Sequence, residues 1–552
     1  MAVVSGARGS AASPPAEVVA RLREAWAALQ RRQPTAAREA ALAATRLAPD
    51  AFDAWRLLAV AEQGLGRSDA CILALQHALA LRPDDAGTAL DLGTALLQSG
   101  DARAARTLLQ QAMRTLPGDA RAAFRYGTAC YALGEMEQAA QGFAAATVRA
   151  PDWAEAWNNL AAALGQRQDY PAAIAAARNA VRLQPQAAPT HHALAALQSN
   201  LFDTASLREG LASVQRALAL ARDFADAHRI AAILHRKLGD PQRAERHARE
   251  ALRLAPQDPA AVDTLGEQLL INGRPAEAAS TYESALTRGV DTPVLRRQHG
   301  IALLQDGRTG AALEALDRAL RQATDDQRAI AHLGVATALE HGAARADALL
   351  GLHRHVHRIA LPAPDGFADA EAFHRALADD IRHHSRQRWE PAGLAARNAY
   401  LSGDLLADRT AAIAGFEQRL RAAIDAFIAG CRRDPDDPFL RNVPRDYVLH
   451  VWATQAAESG YIDTHIHEES WLSGAYYVTV PDAIGPEDPT HAGWIEFGRP
   501  YAGLPAVEAA ALRLECPRAG DLLLFPSYLF HRTLPYRGDG ERISVSFDLA
   551  AA

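Results

Sequence analysis

The stretch Pro151-Asp-Trp-Ala-Glu-Ala-Trp157 decides how the first half of this chain folds, because its proline belongs to a series. Pro49, Pro83, Pro117, Pro151 and Pro185 follow one another at one constant interval. Pro256, in Leu-Ala-Pro-Gln-Asp, lies two such intervals and a short insertion beyond Pro185. A regular period of about 34 residues marks a repeat architecture. A large residue follows each proline by six or seven positions, at Trp55, Leu90, Phe124 and Trp157. A small-residue-rich segment then runs to a glycine, as in Gly-Leu-Gly (64–66), Ala-Leu-Gly (132–134) and Lys-Leu-Gly-Asp (237–240). Glycine lets a helix stop and reverse, and proline ends the next one, so each unit reads as a helix pair. One pair cannot bury its apolar face alone, whereas stacked pairs form a superhelix with a concave surface. Large residues at a fixed repeat position belong to the core of such a stack, which is the expectation for Trp55, Trp153 and Trp157; lining of the groove is the alternative.

These units resemble the tetratricopeptide repeat, with its period, an aromatic in the first helix, glycine near the turn, alanines where helices pack closely, and a terminal proline. The resemblance runs from about Pro14 to Asp326, with an irregular unit near 188–225. It implies a protein or peptide ligand in the groove of the array.

Outside the repeats the bounds are set by composition. A chain of 552 residues with 49% hydrophobic and 22% charged content exceeds one compact core. The 58 Lys and Arg against 65 Asp and Glu give a net charge of −7 and no basic excess, so no nucleic-acid partner is expected. Cys71, Cys130, Cys431 and Cys516 form no Cys-x-x-Cys pair, which fits a reducing, cytoplasmic setting. Met1–Pro15 lacks the apolar run of a signal peptide. The longest uncharged window, Leu183–Phe202, holds two prolines and two histidines, so no membrane span is expected.

Helical periodicity decays into Leu-Pro-Ala-Pro-Asp-Gly (361–366), a cluster that breaks helices. The expected organisation is a disordered lead over 1–13, a repeat superhelix over 14–345, a linker over 346–366, and a second domain over 367–552. Helical patterns recur around 368–384 and 408–430. From Tyr447 onward short β-rich runs follow one another: Tyr447–Trp452, Tyr461–His467, Leu472–Val480, Gly493–Phe497, Leu512–Glu515, Asp521–Phe525, Phe530–Pro535 and Arg542–Asp548. Eight strands at this spacing predict a closed sandwich or barrel with the helices buttressing one sheet. The histidines of His353-Arg-His-Val-His357 and His383-His384 point to different helix faces and are read as solvated surface.

The chemistry concentrates in Tyr461-Ile-Asp-Thr-His-Ile-His-Glu-Glu-Ser-Trp-Leu-Ser-Gly-Ala-Tyr-Tyr-Val478. In a strand, His465 and His467 project to one face, as two ligands of one metal must. A third histidine, His531, closes the later run Gly520-Asp-Leu-Leu-Leu-Phe-Pro-Ser-Tyr-Leu-Phe-His531, and Arg542-Ile-Ser544 stands shortly beyond it. This order resembles the Fe(II)- and 2-oxoglutarate-dependent oxygenases. With Ser-Gly-Ala-Tyr-Tyr-Val, Gly-Asp-Leu-Leu-Leu-Phe-Pro-Ser and Arg-x-Ser-x-Ser-Phe, it is similar to a little-characterised bacterial and phage branch, and the resemblance reaches upstream to an Arg388-Trp-Glu-Pro391 helix region. It implies a double-stranded β-helix (jelly roll), Fe(II), 2-oxoglutarate as cosubstrate and O2. Such a centre needs three facial ligands and three open positions, and the far carboxylate of 2-oxoglutarate needs a guanidinium fork beside a hydroxyl, here Arg542 with Ser544.

One departure from the family pattern leaves two ligand sets open. Either His465, His467 and His531 form an all-histidine cap, or His467 and Glu469 supply a His-x-Glu pair with His531, and His465 lies outside the cap. Tyr476, with Tyr477 alternating beside it, is a candidate to hydrogen-bond the cosubstrate. The expected activity is hydroxylation of a protein or peptide side chain presented by the repeats. The alternatives are a small-molecule hydroxylase whose repeats mediate assembly, and an interaction scaffold with an inert barrel.

Overall fold

The computed structural model describes residues 15–385, 388–389, 395–505 and 510–551. The lead expected over 1–13 lies outside them. The chain divides into two compact units, Met1–Leu201 and Phe202–Ala552.

The first unit is built of paired helices from Ala16–Gln30 to Ala188–Gln198. The indole N–H of Trp55 donates to the Pro49 carbonyl at 2.8 Å, and that of Trp157 to the Pro151 carbonyl at 2.9 Å. His191 Nε2 meets Pro185 O at 3.0 Å in the same way. The aromatic six residues after the proline thus satisfies a carbonyl that the helix end leaves without a partner. Trp55, Trp153 and Trp157 are half-buried against the core of the unit. Asp101 and Asp169 cap helices by accepting the backbone N–H three residues on.

The second unit continues the repeats through Thr204–Leu220, Ala225–Lys237, Pro241–Leu254, Pro259–Ile271, Pro275–Thr287, Pro293–Gln305, Thr309–Gln322, Gln327–His341 and Ala343–Leu350. A recurring close approach sets the spacing of several pairs: a Cβ on Gly266 would stand 2.1 Å from the Tyr282 ring, and one on Gly300 2.6 Å from Leu316. In the first unit Gly93 and Leu109 make the same pair.

The strands of this unit are β1 (His357–Ala360), β2 (Arg388–Trp389), β3 (Ala396–Leu401), β4 (Tyr447–Ile462), β5 (Leu472–Thr479), β6 (Ile495–Phe497), β7 (Arg513–Glu515), β8 (Asp521–Pro526), β9 (His531–Thr533) and β10 (Arg542–Ala551). They form two antiparallel sheets, β1-β8-β5-β10-β4-β3-β2 and β7-β6-β9, the latter extended by a bridge between His465 and His531. Helices Ala370–Arg382 and Ala411–Gly430 bury Phe373, Leu377, Phe416 and Leu420, and the Phe416 ring packs 5.1 Å from Tyr476. The architecture is the expected helical-repeat superhelix followed by a double-stranded β-helix with buttressing helices. No described helix is long and apolar enough to cross a membrane.

Four expectations are corrected. Tyr447–Trp452 and Tyr461–His467 are not two strands: β4 runs unbroken to Ile462, and the chain leaves the sheet at Asp463. Arg388–Trp389 is a strand pairing with Leu401 and Tyr400, not a helix, while 390–391 lie outside the described residues. The stretch expected as linker, 346–366, carries two short helices and β1, because Leu352, Val356 and Leu361 are buried, and β1 pairs with β8. His355 and His384 are buried rather than solvated: His355 Nε2 lies 2.8 Å from Asp437, and His384 Nε2 lies 3.2 Å from Leu405 O.

Candidate metal centre

After β4 the chain crosses to the smaller sheet, and His465 exchanges two backbone hydrogen bonds of 3.1 Å with His531 at the start of β9. The next turn returns it toward the end of β8, where the His467 N–H donates to Ser527 O at 3.1 Å. The three histidines meet through these backbone pairings and not through a shared strand. Their ligand atoms lie within 4.8 Å of one another, and none of the three is more than partly exposed.

Each ring has its Nδ1 committed. His465 Nδ1 donates to Asp463 O at 2.8 Å, His531 Nδ1 to Leu529 O at 2.9 Å, and His467 Nδ1 to the Asp548 carboxylate at 2.8 Å. Acceptors at Nδ1 place the proton there and leave Nε2 with its lone pair, the tautomer that ligates a metal. Nε2 of His467 and Nε2 of His531 then face each other at 3.3 Å. With Nδ1 as the protonated nitrogen of each neutral ring, this spacing lets one cation take both lone pairs. Burial, reinforced by His467, pushes His465 down to about 4. Burial and the two neighbouring rings hold His531 well below the usual range. These two imidazoles are therefore neutral at pH 7.

Glu469 is not brought to this cluster. It is exposed and lines a separate cavity with Arg433, Arg441 and Glu468.

A cavity of about 460 Å³ opens from the histidines, lined also by Arg542, Ser544, Thr454, Thr533, Tyr477 and Trp452. Arg542 is only 2% exposed. Its Nη1 donates to Gly493 O and its Nη2 to Thr533 Oγ1, both at 3.0 Å, and Tyr536 lies beneath it at 5.8 Å. No carboxylate pairs with it among the described residues. Burial lowers its pKa, and a buried guanidinium lacking an acid is costly until an anion arrives.

Tyr476 does not reach this cavity, which corrects its expected role. Alternation along β5 turns it to the opposite face, where its hydroxyl meets His374 Nε2 at 2.7 Å, and it is Tyr477 that faces the cavity. Sequence reasoning also passed over Thr533, Trp452 and Asp548. For Asp548 a signal was present: Arg542, Ser544, Ser546 and Asp548 are spaced two apart on one strand and so share a face.

Residues 450–548 match the family model described as "Putative 2OG-Fe(II) oxygenase". Tetratricopeptide repeat models match 22–86, 96–164, 154–186, 193–259 and 231–293. Protein FlbA of Caulobacter vibrioides is 28% identical over 234 residues, 42% of this chain and 33% of its own length, so this chain spans about a third of that relative. Among solved structures, a tetratricopeptide repeat protein from Parabacteroides merdae is 16% identical with a TM-score of 0.40, covering 46% of this chain and 98% of its own. YrrB, a TPR protein described as having an unusual peptide-binding site, is 16% identical with a TM-score of 0.31, covering 34% and 96%. The chain thus joins tetratricopeptide repeats, within 22–293, to a C-terminal 2OG-Fe(II) oxygenase domain over 450–548.

Proposed function

We propose that this protein is an Fe(II)- and 2-oxoglutarate-dependent dioxygenase that hydroxylates a side chain of a protein or peptide held by its repeats. The observation that carries the reading is one cavity containing both a buried, acid-free arginine and three histidines with Nδ1 tied and Nε2 turned inward. The donor set fits the group the family implies. His465, His467 and His531 hold Fe(II) through Nε2, and Arg542 with Ser544 receives the far carboxylate of 2-oxoglutarate. When bound, iron with 2-oxoglutarate and O2 supplies oxidative decarboxylation coupled to oxidation of a C–H bond. The chain's own part is to orient and exclude: Asp463 O, Leu529 O and Asp548 fix the three rings, Gly493 O and Thr533 fix the guanidinium, and Trp452, Ile466 and Phe525 keep water from the cavity.

A protein or peptide substrate is supported by the seam between the last repeat and the barrel. Arg328 of helix Gln327–His341 reaches Glu468 at 3.4 Å, next to His467, and His332 meets the Tyr501 hydroxyl at 2.8 Å. A ligand held by the repeats of this unit is in this way tied to the loop that carries the metal ligands. The test is release of succinate by purified protein given Fe(II) and 2-oxoglutarate, with and without cell-extract proteins, and mass spectrometry for an added oxygen. Turnover stimulated by extract and an oxidised peptide are expected; no binding of 2-oxoglutarate overturns the reading.

A further inference from the structure

Among the three candidate ligands, His467 stands apart in what holds it. His465 and His531 give their Nδ1 protons to backbone carbonyls, which are neutral dipoles. His467 gives its proton to a carboxylate, Asp548, at 2.8 Å. That carboxylate is itself built in. Its other oxygen accepts from Ser473 Oγ at 2.6 Å, and Ser473, having donated there, accepts from Ser527 Oγ at 2.7 Å. Both serines are fully buried, and Ser527 O also takes the backbone N–H of His467. Ring and backbone of this one ligand are therefore fixed by a single network that joins β5, β10 and Ser527 just after β8.

Resting on the reading above, we infer that Asp548 supplies, one imidazole removed, the negative charge that a cap of two histidines and a carboxylate would place directly on the iron. Three neutral imidazoles leave a divalent ion uncompensated, whereas a cap with one carboxylate cancels one of its charges. A carboxylate hydrogen-bonded to a ligating imidazole raises the basicity of that ligand and shares its charge with the metal. Only the ring without a carbonyl partner receives such a carboxylate here. Asp548 is thus a positioning and charge-supplying residue acting through His467.

Cobalt(II) titrated into metal-free protein and followed by its d–d absorption tests this without turnover. Asp548→Asn keeps an acceptor oxygen for His467 and removes the charge, and it should weaken cobalt binding about 10–100-fold. Ser473→Ala leaves the charge and loosens its support, and should weaken binding by less than about threefold. Where asparagine disturbs folding, judged by the melting temperature of the metal-free variant, Asp548→Ser takes its place. Wild-type affinity in the neutral variants overturns the inference, and so does an equal loss in Ser473→Ala, which would assign the effect to geometry. Wild-type protein that binds no cobalt overturns the metal centre together with it. Wild-type protein that binds cobalt with no spectral change on adding 2-oxoglutarate overturns the oxygenase reading while leaving the Asp548 comparison standing.

Discussion

At the scale of single residues, the cavity separates the three histidines proposed to hold a metal from the arginine proposed to hold an anion. Arg542 touches no candidate ligand and is pinned by Gly493 O and Thr533. Arg542→Gln should therefore weaken 2-oxoglutarate by about 2–4 kcal/mol, the worth of a charge-assisted bidentate contact, and leave metal affinity nearly unchanged. Titration of the metal-to-cosubstrate absorption band measures this, and an unchanged affinity would mean that another cation binds the cosubstrate. The ligand set is tested by a pair of variants. Glu469 is exposed on a different cavity, so Glu469→Ala should keep its iron, while His465→Ala should lose it. Iron content measured side by side decides; loss in Glu469→Ala with retention in His465→Ala would restore the carboxylate alternative. The sequence marks His465 and His467 as candidate ligands by their two-residue spacing and His531 by its place in the family-like order of motifs. That Tyr477 rather than Tyr476 faces the cavity was not legible there, because a parity error of one residue reverses every side chain of a strand.

At the scale of elements, several helix pairs are set by one glycine facing one large residue. A methyl on Gly266 would stand 2.1 Å from the Tyr282 ring, and that ring is fully buried, with its hydroxyl 3.2 Å from Asp263. Gly266→Ala should destabilise the chain by about 1–3 kcal/mol, as overpacking of a close contact does. The midpoint of urea unfolding checks it, and a midpoint unchanged from wild type would mean that the pair separates freely. The strands behave differently from the helices. Helices repeat local contacts and announce themselves by period, so the repeats were readable from prolines and glycines alone. β1 was not, since four residues beside a proline-rich cluster become a strand only because β8 offers them an edge.

At the scale of the molecule, the division after Leu201 has consequences for dissection and for pH. Fragment 1–201 contains its own buried core and should fold as a cooperative helical protein, which circular dichroism and thermal melting will report. A cut at 345 should fare worse, because it strips helix Gln327–His341 of the Tyr501 and Phe530 rings that cover His332. Burial, with Arg328 nearby, pushes His332 down to about 3, and burial, with His228 and His235, pushes His247 down to about 4. Unfolding returns both toward 6.5, so between these values the unfolded chain binds protons that the folded chain refuses. The contribution of these two rings to the stability of metal-free protein is therefore complete above about pH 6.5 and falls as the pH drops toward 4. Urea midpoints at pH 7.5 and 5 should show the loss, and His332→Gln should lessen the slope; a flat profile would mean that neither ring is held neutral.

What the sequence determined by itself was whatever repeats or alternates locally: the periodic helix pairs, the β-rich end of the chain, and the residue types of a candidate metal and anion site. Those signals survive because helix period, strand alternation and turn chemistry act over a few neighbours. Only the tertiary structure decided which groups meet. His465 faces His531 through a backbone bridge between distant segments, Asp548 reaches back from the last strand to His467, and Arg542 is fixed by Gly493 and Thr533. Each of these contacts depends on which strand lies beside which and in what register, and that is settled by burying the two sheets together, not by any short stretch of chain.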